Sequence, residues 1–337
     1  MRKVGFIVAA LVLLSGLALT ACQPAAPETF EWRLPTIAYP GAFEDKLMPV
    51  WEDYVERESG GRLQVEWFYD GEICPAEEIP PNLAKGLFEA TFTHVPYYAG
   101  TYPALELGGM FPGVRGSWEE TMTLWNDSEL TVLIEETCND IGFHNLGITH
   151  LGGYPCLCTT VPIRTVEDFE GVKVRAFGMA SDCFAAFGAA PTYMPGGECY
   201  MALKLGTVDA VTFSVDGIEG YKWYEVMDYW ILPFFTGATN GWWCVNWDSW
   251  NELPDDLKDV YLDSVQFAHV EARKIVDEAM EMNYQYAEDG WYEIITLPDE
   301  ELAKMWDVID NTVWPDFAAQ NERCAKGVEI IKGFYGS

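Results

Sequence analysis

The hydrophobic pattern of the chain switches between the periods that distinguish strands from helices. Residues 172–177 read Val, Lys, Val, Arg, Ala, Phe, and this two-residue alternation predicts a half-buried strand. Between Leu257 and Met282 the apolar positions instead recur every three or four residues, and Gly290 follows. This spacing predicts one long helix that ends near the glycine, and a helix of this length is expected to bridge two lobes.

Strand and helix patterns alternate along the rest of the chain, which predicts an α/β fold. Further strands are expected at 31–38, 62–68, 90–93, 143–153 and 208–213. Further helices are expected at 42–61, 121–142 and 179–190.

The first 22 residues have the organisation of a secretory signal. Arg2 and Lys3 precede an uncharged apolar run that is too short and wrongly flanked for a stable membrane span. The run ends in Leu-Thr-Ala-Cys, which resembles a bacterial lipobox cleaved before an acylated Cys22. We therefore expect a signal peptide at 1–21, a tether at 22–29 and a membrane-anchored lipoprotein outside the cytoplasm. The alternative is an ordinary signal peptide with a chance cysteine.

The charge of the chain excludes some partners. It has 53 acidic and 20 basic residues, and loss of Arg2 and Lys3 takes the formal charge from −33 to −35. A field of this sign repels nucleic acid and anionic lipid headgroups, so no nucleic-acid partner is expected. An anionic substrate has to be attracted locally, by specific arginines or main-chain amides.

Eight cysteines follow Cys22, and their state stays open. An even number outside the cytoplasm allows disulfides, but free buried thiols fit equally well. Along a strand, Cys156 and Cys158 would face the same side, yet a zinc site there lacks a second cysteine pair or a nearby histidine pair.

No motif of an activated nucleophile, phosphate-binding loop or dinucleotide site occurs in the sequence. The four histidines are scattered, and His94 differs from the others because it follows a predicted strand. The pattern therefore favours a binding protein over an enzyme.

A resemblance to one family follows from residues 165–213. This segment resembles the signature region of the TRAP-transporter substrate-binding proteins (the DctP-like family), and segments 39–43, 55–73, 95–113 and 252–264 extend the similarity over nearly the whole mature chain. The matching residues are Asp168, Gly171, Arg175, Gly188, Pro191, Met194, Pro195, Gly197, Glu198, Tyr200, Ala202, Leu203, Gly206, Val208 and Asp209.

The resemblance implies a two-lobed periplasmic-binding-protein (venus-flytrap) fold with a ligand cleft between the lobes. Lobe 1 would comprise 30–152 plus about 239–275, and lobe 2 would comprise 153–238 plus about 276–337. The implied function is capture of an organic carboxylate and its delivery to an ion-gradient-driven TRAP permease. The alternatives are a ligand-sensing receptor that docks to a signalling protein, and an exported hydrolase.

The resemblance also implies a role for Arg175, which in the family forms a two-point salt bridge with the substrate carboxylate. A planar guanidinium suits a carboxylate, although Arg175 could instead pair with an acidic neighbour. Other expected cleft positions are Tyr39, Glu72, His94, Tyr97, Cys156, Phe177, Thr212, Phe213, Asp216 and Trp242.

One departure from the family pattern concerns metal. Keto-acid-binding relatives place an acidic residue and a tryptophan after the strand that ends here in Val211-Thr212-Phe213, and use them with a metal ion. No carboxylate stands at these positions, so we expect neither a metal nor a cofactor. Aromatic residues make up 15% of the chain, which hints at an apolar or aromatic body on the ligand.

Overall fold

The computed structural model describes residues 28–109, 111–112, 117–153, 156–233 and 238–335. The predicted signal peptide and Cys22 lie outside these residues. The strands are β1 (Phe30–Pro35), β2 (Leu63–Phe68), β3 (Ala90–Thr93), β4 (Phe143–Gly153), β5 (Cys156–Thr159), β6 (Lys173–Arg175), β7 (Ala190–Thr192), β8 (Ala210–Phe213), β9 (Tyr229–Leu232), β10 (Ala238–Asn246) and β11 (Glu293–Thr296). The helices are α1 (Phe43–Glu58), α2 (Ile79–Ala84), α3 (Trp118–Asn126), α4 (Glu129–Ile141), α5 (Gly178–Ala186), α6 (Cys199–Lys204), α7 (Gly217–Gly220), α8 (Trp247–Glu252), α9 (Asp255–Glu288), α10 (Asp299–Val308), α11 (Trp314–Ala318) and α12 (Glu322–Tyr335).

The first lobe is built on strands β1 to β4 and β10. Strands β1 and β2 pair in parallel, and a single bridge from Thr36 to Phe92 joins them to β3. Strand β10 lies between β3 and β4 and is antiparallel to both. The buried face of α1 covers this lobe with Leu47, Trp51 and Val55.

The second lobe is built on a six-stranded sheet in the order β11-β9-β5-β8-β6-β7. Strand β6 is parallel to both β7 and β8. The carboxyl ends of these three strands therefore meet at one edge of the sheet, where ligands bind in open α/β folds. Arg175 is the last residue of β6 and lies at that edge.

The chain connects the two lobes along β4 to β5, along β9 to β10, and through the 34-residue helix α9. Ser264 in the first half of α9 accepts a hydrogen bond of 3.0 Å from Trp51 Nε1 of the first lobe. Near its other end, Asn283 Nδ2 donates to the Val215 carbonyl of the second lobe at 2.8 Å. The prediction that this helix bridges two lobes is therefore confirmed.

One predicted helix is divided in two. The sequence pattern indicated a single helix over 121–142, but α3 ends at Asn126 and α4 begins at Glu129. Ser128 causes the break, because its side chain accepts from the Leu130 N–H at 3.0 Å while its own N–H donates to the Thr131 hydroxyl at 3.1 Å. This reciprocal capping starts a new helix and outweighs the continuous hydrophobic pattern.

The carboxyl-terminal helix lies against the first lobe. Arg323 of α12 forms an ion pair of 2.8 Å with Asp140 of α4, and Gly327 of α12 packs closely against Leu107. The sequence-based division placed 276–337 in the second lobe, but α12 and α11 of that range contact the first, since Trp314 of α11 also donates to the Pro112 carbonyl at 2.7 Å.

Two further features of the described residues are the state of the cysteines and the length of the apolar helices. Among them, six cysteines have buried free thiols: Cys74, Cys138, Cys183, Cys199, Cys244 and Cys324. No helix in the described part of the chain is both long enough and apolar enough to cross a bilayer.

Candidate functional site

A cavity of about 370 Å³ lies between the two lobes. This volume lies in the range of small-molecule sites. Its wall is rich in aromatic side chains from both lobes, namely Tyr39, Phe43, Tyr97, Phe177, Tyr193, Phe213 and Tyr221. The polar and charged side chains of the wall are Glu44, Asp70, Glu77, His94, Arg175, Ser214, Asp216, Thr239 and Asn240.

The Arg175 guanidinium is 1% exposed and belongs to the cavity wall. Its Nε donates to the Met194 carbonyl at 2.9 Å, and one terminal nitrogen donates to the Thr212 carbonyl at 2.8 Å. These bonds to the backbone of neighbouring segments fix the plane of the guanidinium while using two of its five N–H donors. No described carboxylate lies within ion-pair distance of Arg175.

Three aromatic rings surround this buried cation. The guanidinium carbon of Arg175 lies 5.4 Å from the ring centre of Phe177, 5.8 Å from that of Tyr193 and 5.2 Å from that of Phe213. Ring faces attract a cation and exclude water from it, but they carry no counter-charge. A buried charge without a counter-ion is costly, so the site favours an anion that can pair with Arg175.

The hydrogen bonds around His94 determine which of its two ring nitrogens carries the proton. Trp242 Nε1 can only donate, and it donates to Asn240 Oδ1 at 3.0 Å, while Asn240 Nδ2 donates to the Gly108 carbonyl. Asn240 Oδ1 is therefore an acceptor, so His94 Nδ1, 3.1 Å away, carries the proton. Burial lowers the pKa of His94 to about 4, so the ring is neutral at pH 7. Its Nε2 is then an acceptor, and it has no partner among the described residues.

Two buried carboxyl groups line another part of the wall. Glu44 lies in the first turn of α1, and burial, with Asp216 and Asp45 nearby, raises its pKa to about 7. Asp216 accepts hydrogen bonds from the Ser214 hydroxyl and, at 3.1 Å, from the Phe43 N–H of the other lobe. Burial raises the pKa of Asp216 as well, although these hydrogen bonds oppose the shift.

The structure brings seven of the predicted site residues together around the cavity: Arg175, Tyr39, His94, Tyr97, Phe177, Phe213 and Asp216. Three others are not part of the described lining. Glu72 is exposed and accepts from the Tyr69 N–H, Trp242 is buried in the core, and Thr212 holds Arg175 through its carbonyl. Cys156 begins β5, but its side chain is outside the described part of the structure.

Sequence reasoning missed Glu44, Tyr193, Tyr221 and Asn240. Glu44 follows the turn after β1, and Tyr39 was predicted because it follows the same strand. The same reasoning could therefore have found Glu44. Tyr193 lies inside the signature segment that marked Arg175. For Tyr221 and Asn240 no sequence signal existed, because the folding of distant segments brings them to the wall.

Among the described residues, no three or more His, Cys, Asp or Glu side chains are grouped so that they could hold a metal ion. The expectation that the site works without a metal stays a prediction.

Two lobes with an aromatic cavity between them, and a buried arginine in its wall that pairs with no described carboxylate, define a cleft-type solute-binding protein. Residues 40–321 match the model of the bacterial extracellular solute-binding protein family 7, the DctP family. The chain belongs to this family, and the resemblance noted in the sequence is confirmed.

Similar proteins span most of the chain. A solute-binding protein of Albidiferax ferrireducens is 25% identical over 298 residues, which is 85% of each chain. A TRAP periplasmic solute-binding protein of Chromohalobacter salexigens, solved with (S)-(+)-2-amino-1-propanol, has a TM-score of 0.82 at 24% identity and covers 91% of this chain and 96% of that one. Another from Desulfovibrio salexigens, solved with orotic acid, has a TM-score of 0.80 at 20% identity, with 91% and 98% covered.

These matches confirm the predicted two-lobed α/β fold. The family consists of periplasmic solute receptors, which bind small molecules and work with membrane permease subunits, and its members are binding proteins.

Proposed function

We propose that this chain binds an organic carboxylate in the cavity between its lobes and delivers it to the membrane permease of a TRAP system. Arg175 binds the carboxylate, and the aromatic wall holds an apolar or partly aromatic body. The observation that carries the proposal is the Arg175 guanidinium, which is 1% exposed, is held by two backbone carbonyls and is unpaired with any described carboxylate.

The binding energy would come from pairing and from exclusion of water. A planar guanidinium matches a carboxylate with two parallel hydrogen bonds, and a dry cavity strengthens them. The ligands of similar proteins support an acidic ligand. A TRAP periplasmic solute-binding protein of Rhodoferax ferrireducens was solved with malonate, and the Desulfovibrio protein was solved with orotic acid. The bound amino alcohol of the Chromohalobacter protein shows that ligands vary among such folds.

Capture would close the two lobes over the ligand. Arg175 and Phe213 come from the second lobe, and Tyr39 and His94 from the first, so one ligand contacts both only when they are together. A ligand that binds the closed state better shifts the population towards it, and the closed form is the one that a permease would recognise.

A thermal-shift screen of the purified protein against a library of organic acids and neutral analogues tests this proposal. We expect acids to raise the melting temperature and the matching primary amides to leave it unchanged, because an amide cannot neutralise Arg175. A ligand at a hundred times its Kd adds roughly 2.7 kcal/mol of stability. Stabilisation by neutral sugars or amides but by no acid would overturn the proposal.

A further inference from the structure

The described part of the cavity wall carries unequal charges. Arg175 is its basic residue, and its four acidic residues are Glu44, Asp70, Glu77 and Asp216. Once a ligand carboxylate pairs with Arg175, the charge around the rest of the ligand is negative. A second carboxylate on the ligand would be repelled, and a positive group would be attracted.

The other three acidic residues of the wall are bonded or solvated. Asp216 has the Ser214 hydroxyl and the Phe43 N–H, as described above, and Glu77 is exposed to solvent. Asp70 Oδ2 accepts a hydrogen bond of 2.5 Å from the Tyr39 hydroxyl, while Asp70 Oδ1 is buried and has no partner among the described residues.

Glu44 differs from these three. Its side chain belongs to the cavity wall, and the residue is only 7% exposed. Among the described residues, no cation is within ion-pair distance of its carboxyl group, which accepts a hydrogen bond from its own backbone N–H, and Lys46, two residues later, pairs with Glu219 at 3.7 Å instead. A buried carboxyl group without a counter-charge is costly, and it is most favourably satisfied by a cationic donor.

His94 provides a second, independent observation. Its Nε2 is buried and unpartnered among the described residues, and the hydrogen bonds around Asn240 make this atom an acceptor. The wall therefore contains two buried acceptors without a partner among the described residues, His94 Nε2 and Asp70 Oδ1, and a buried Glu44 carboxyl group without a described counter-charge. These groups call for N–H or O–H donors on the ligand.

We infer that the ligand carries a positively charged N–H group that binds Glu44, in addition to the carboxylate that binds Arg175. The ligand class is then a zwitterion of the amino-acid type, not a dicarboxylate. Tyr39 and Tyr221 belong to the same wall, and aromatic rings attract cations. This inference rests on the proposed function, because it assumes that Arg175 binds a carboxylate.

Matched pairs of acids test the inference by titration calorimetry on the purified protein. Each pair shares one skeleton and differs by the ammonium group: γ-aminobutyrate and butyrate, ε-aminocaproate and caproate, phenylalanine and hydrocinnamate. We expect at least one ammonium member to bind roughly ten-fold or more tightly than its partner, as for a hydrogen-bonded charged group. Glu44→Gln should remove this preference, so that the two members of a pair bind with similar affinity.

Asp53→Asn is the matched control, because Asp53 is an exposed carboxylate on the same helix. The control should bind like the unchanged protein. If in every pair the plain acid binds as tightly as the ammonium member, or if Glu44→Gln leaves the preference intact, the inference is wrong while the proposed function stands. If neither member of any pair binds and no acid of the wider library stabilises the protein, the proposed function fails too.

Discussion

At the residue scale, the site depends on buried charged and polar side chains whose partners are incomplete. Arg175 donates hydrogen bonds to the Met194 and Thr212 carbonyls, so its position does not depend on a ligand. Such prior positioning reduces the entropy lost on binding. Glu44 and His94 are also fixed by the packing of their elements, and both are buried.

Replacement of Arg175 by lysine keeps the charge but loses the planar pair of donors. We expect affinity for the carboxylate ligand to fall by one to three orders of magnitude, roughly 1.5–4 kcal/mol, measured by titration calorimetry. Arg164→Lys is the control, because Arg164 is an exposed arginine in the same lobe that pairs with Glu293. Equal affinity in the Arg175→Lys variant and the control would contradict the role given to Arg175.

Chelation tests the expectation that no metal takes part. Thr212 and Phe213 stand where metal-using relatives have an acidic residue and a tryptophan, and Thr212 is occupied with Arg175. Ligand binding should therefore survive extensive dialysis against EDTA. Loss of binding after EDTA, with recovery on addition of Ca²⁺, would show that the site needs a metal ion.

The pH dependence of stability tests the burial of Glu44. Its pKa is raised from 4.5 to about 7 in the folded protein, so its stabilising contribution is present below pH 4.5 and is lost as the pH rises through 7. A shift of this size corresponds to about 3 kcal/mol. Relative to the unchanged protein, Glu44→Gln should become more stable by up to about that amount between pH 4.5 and pH 8.

Denaturant unfolding of the two proteins across this pH range measures that difference. The comparison also removes the contributions of other titrating groups, because both proteins share them. One such group is Glu106, and burial raises its pKa to about 8. A difference that stays constant with pH would mean that Glu44 has an ordinary pKa in the folded state.

At the element scale, the start of helix α5 is a contact between the lobes. Gly178 has a φ of +54°, and the Glu106 carboxyl group of the first lobe lies directly over it. The Met179 N–H donates to the same carboxyl group and lowers its pKa, against the larger effect of burial. This contact lies three residues beyond Arg175, so it positions the end of β6 relative to the first lobe.

A methyl group at Gly178 should disturb this contact. A Cβ there would lie 2.6 Å from Glu106 Oε1, whereas a Cβ at Gly171, which has a φ of +75°, meets nothing within 4 Å. Both Gly→Ala variants should lose about 1–2 kcal/mol because of the left-handed backbone. We expect Gly178→Ala to lose roughly 1–3 kcal/mol more and also to weaken ligand binding. If the two variants lose equal stability in unfolding experiments, the Glu106 side chain moves away from the added methyl group without an energetic cost.

At the scale of the whole molecule, the two lobes, their two strand connections and helix α9 enclose the cavity. The strongly negative charge of the chain gives no electrostatic attraction to a membrane surface. A covalent lipid would supply the attachment that charge does not.

The lipid anchor is tested at Cys22. We expect a mature protein that begins at acylated Cys22 and stays in the membrane fraction at high salt, because two or more acyl chains anchor stably where one does not. Mass spectrometry of the natural amino-terminal peptide measures this directly. Cys22→Ser should block lipid addition and the associated cleavage. An unmodified peptide from another cleavage site, with all protein soluble, would show a freely diffusing receptor.

The sequence by itself determined the local elements, the family and the position of Arg175. Hydrophobic periods and glycine stops are local signals, so the ends of α1 and α9 could be read directly. The Arg175 position came from a short signature segment, which is also local. The helix break at Ser128 was a local capping signal that the hydrophobic period concealed.

Only the tertiary structure decided which side chains share the cavity. Glu44 and Asp216 are 172 positions apart, and the Asn240 amide that determines the His94 tautomer comes from a strand 146 positions away. Burial, missing partners and the pKa of Glu44 depend on how two lobes meet, and no local pattern carries that information. The same reason explains why Trp242 belongs to the core although its place in the sequence pointed to the cleft.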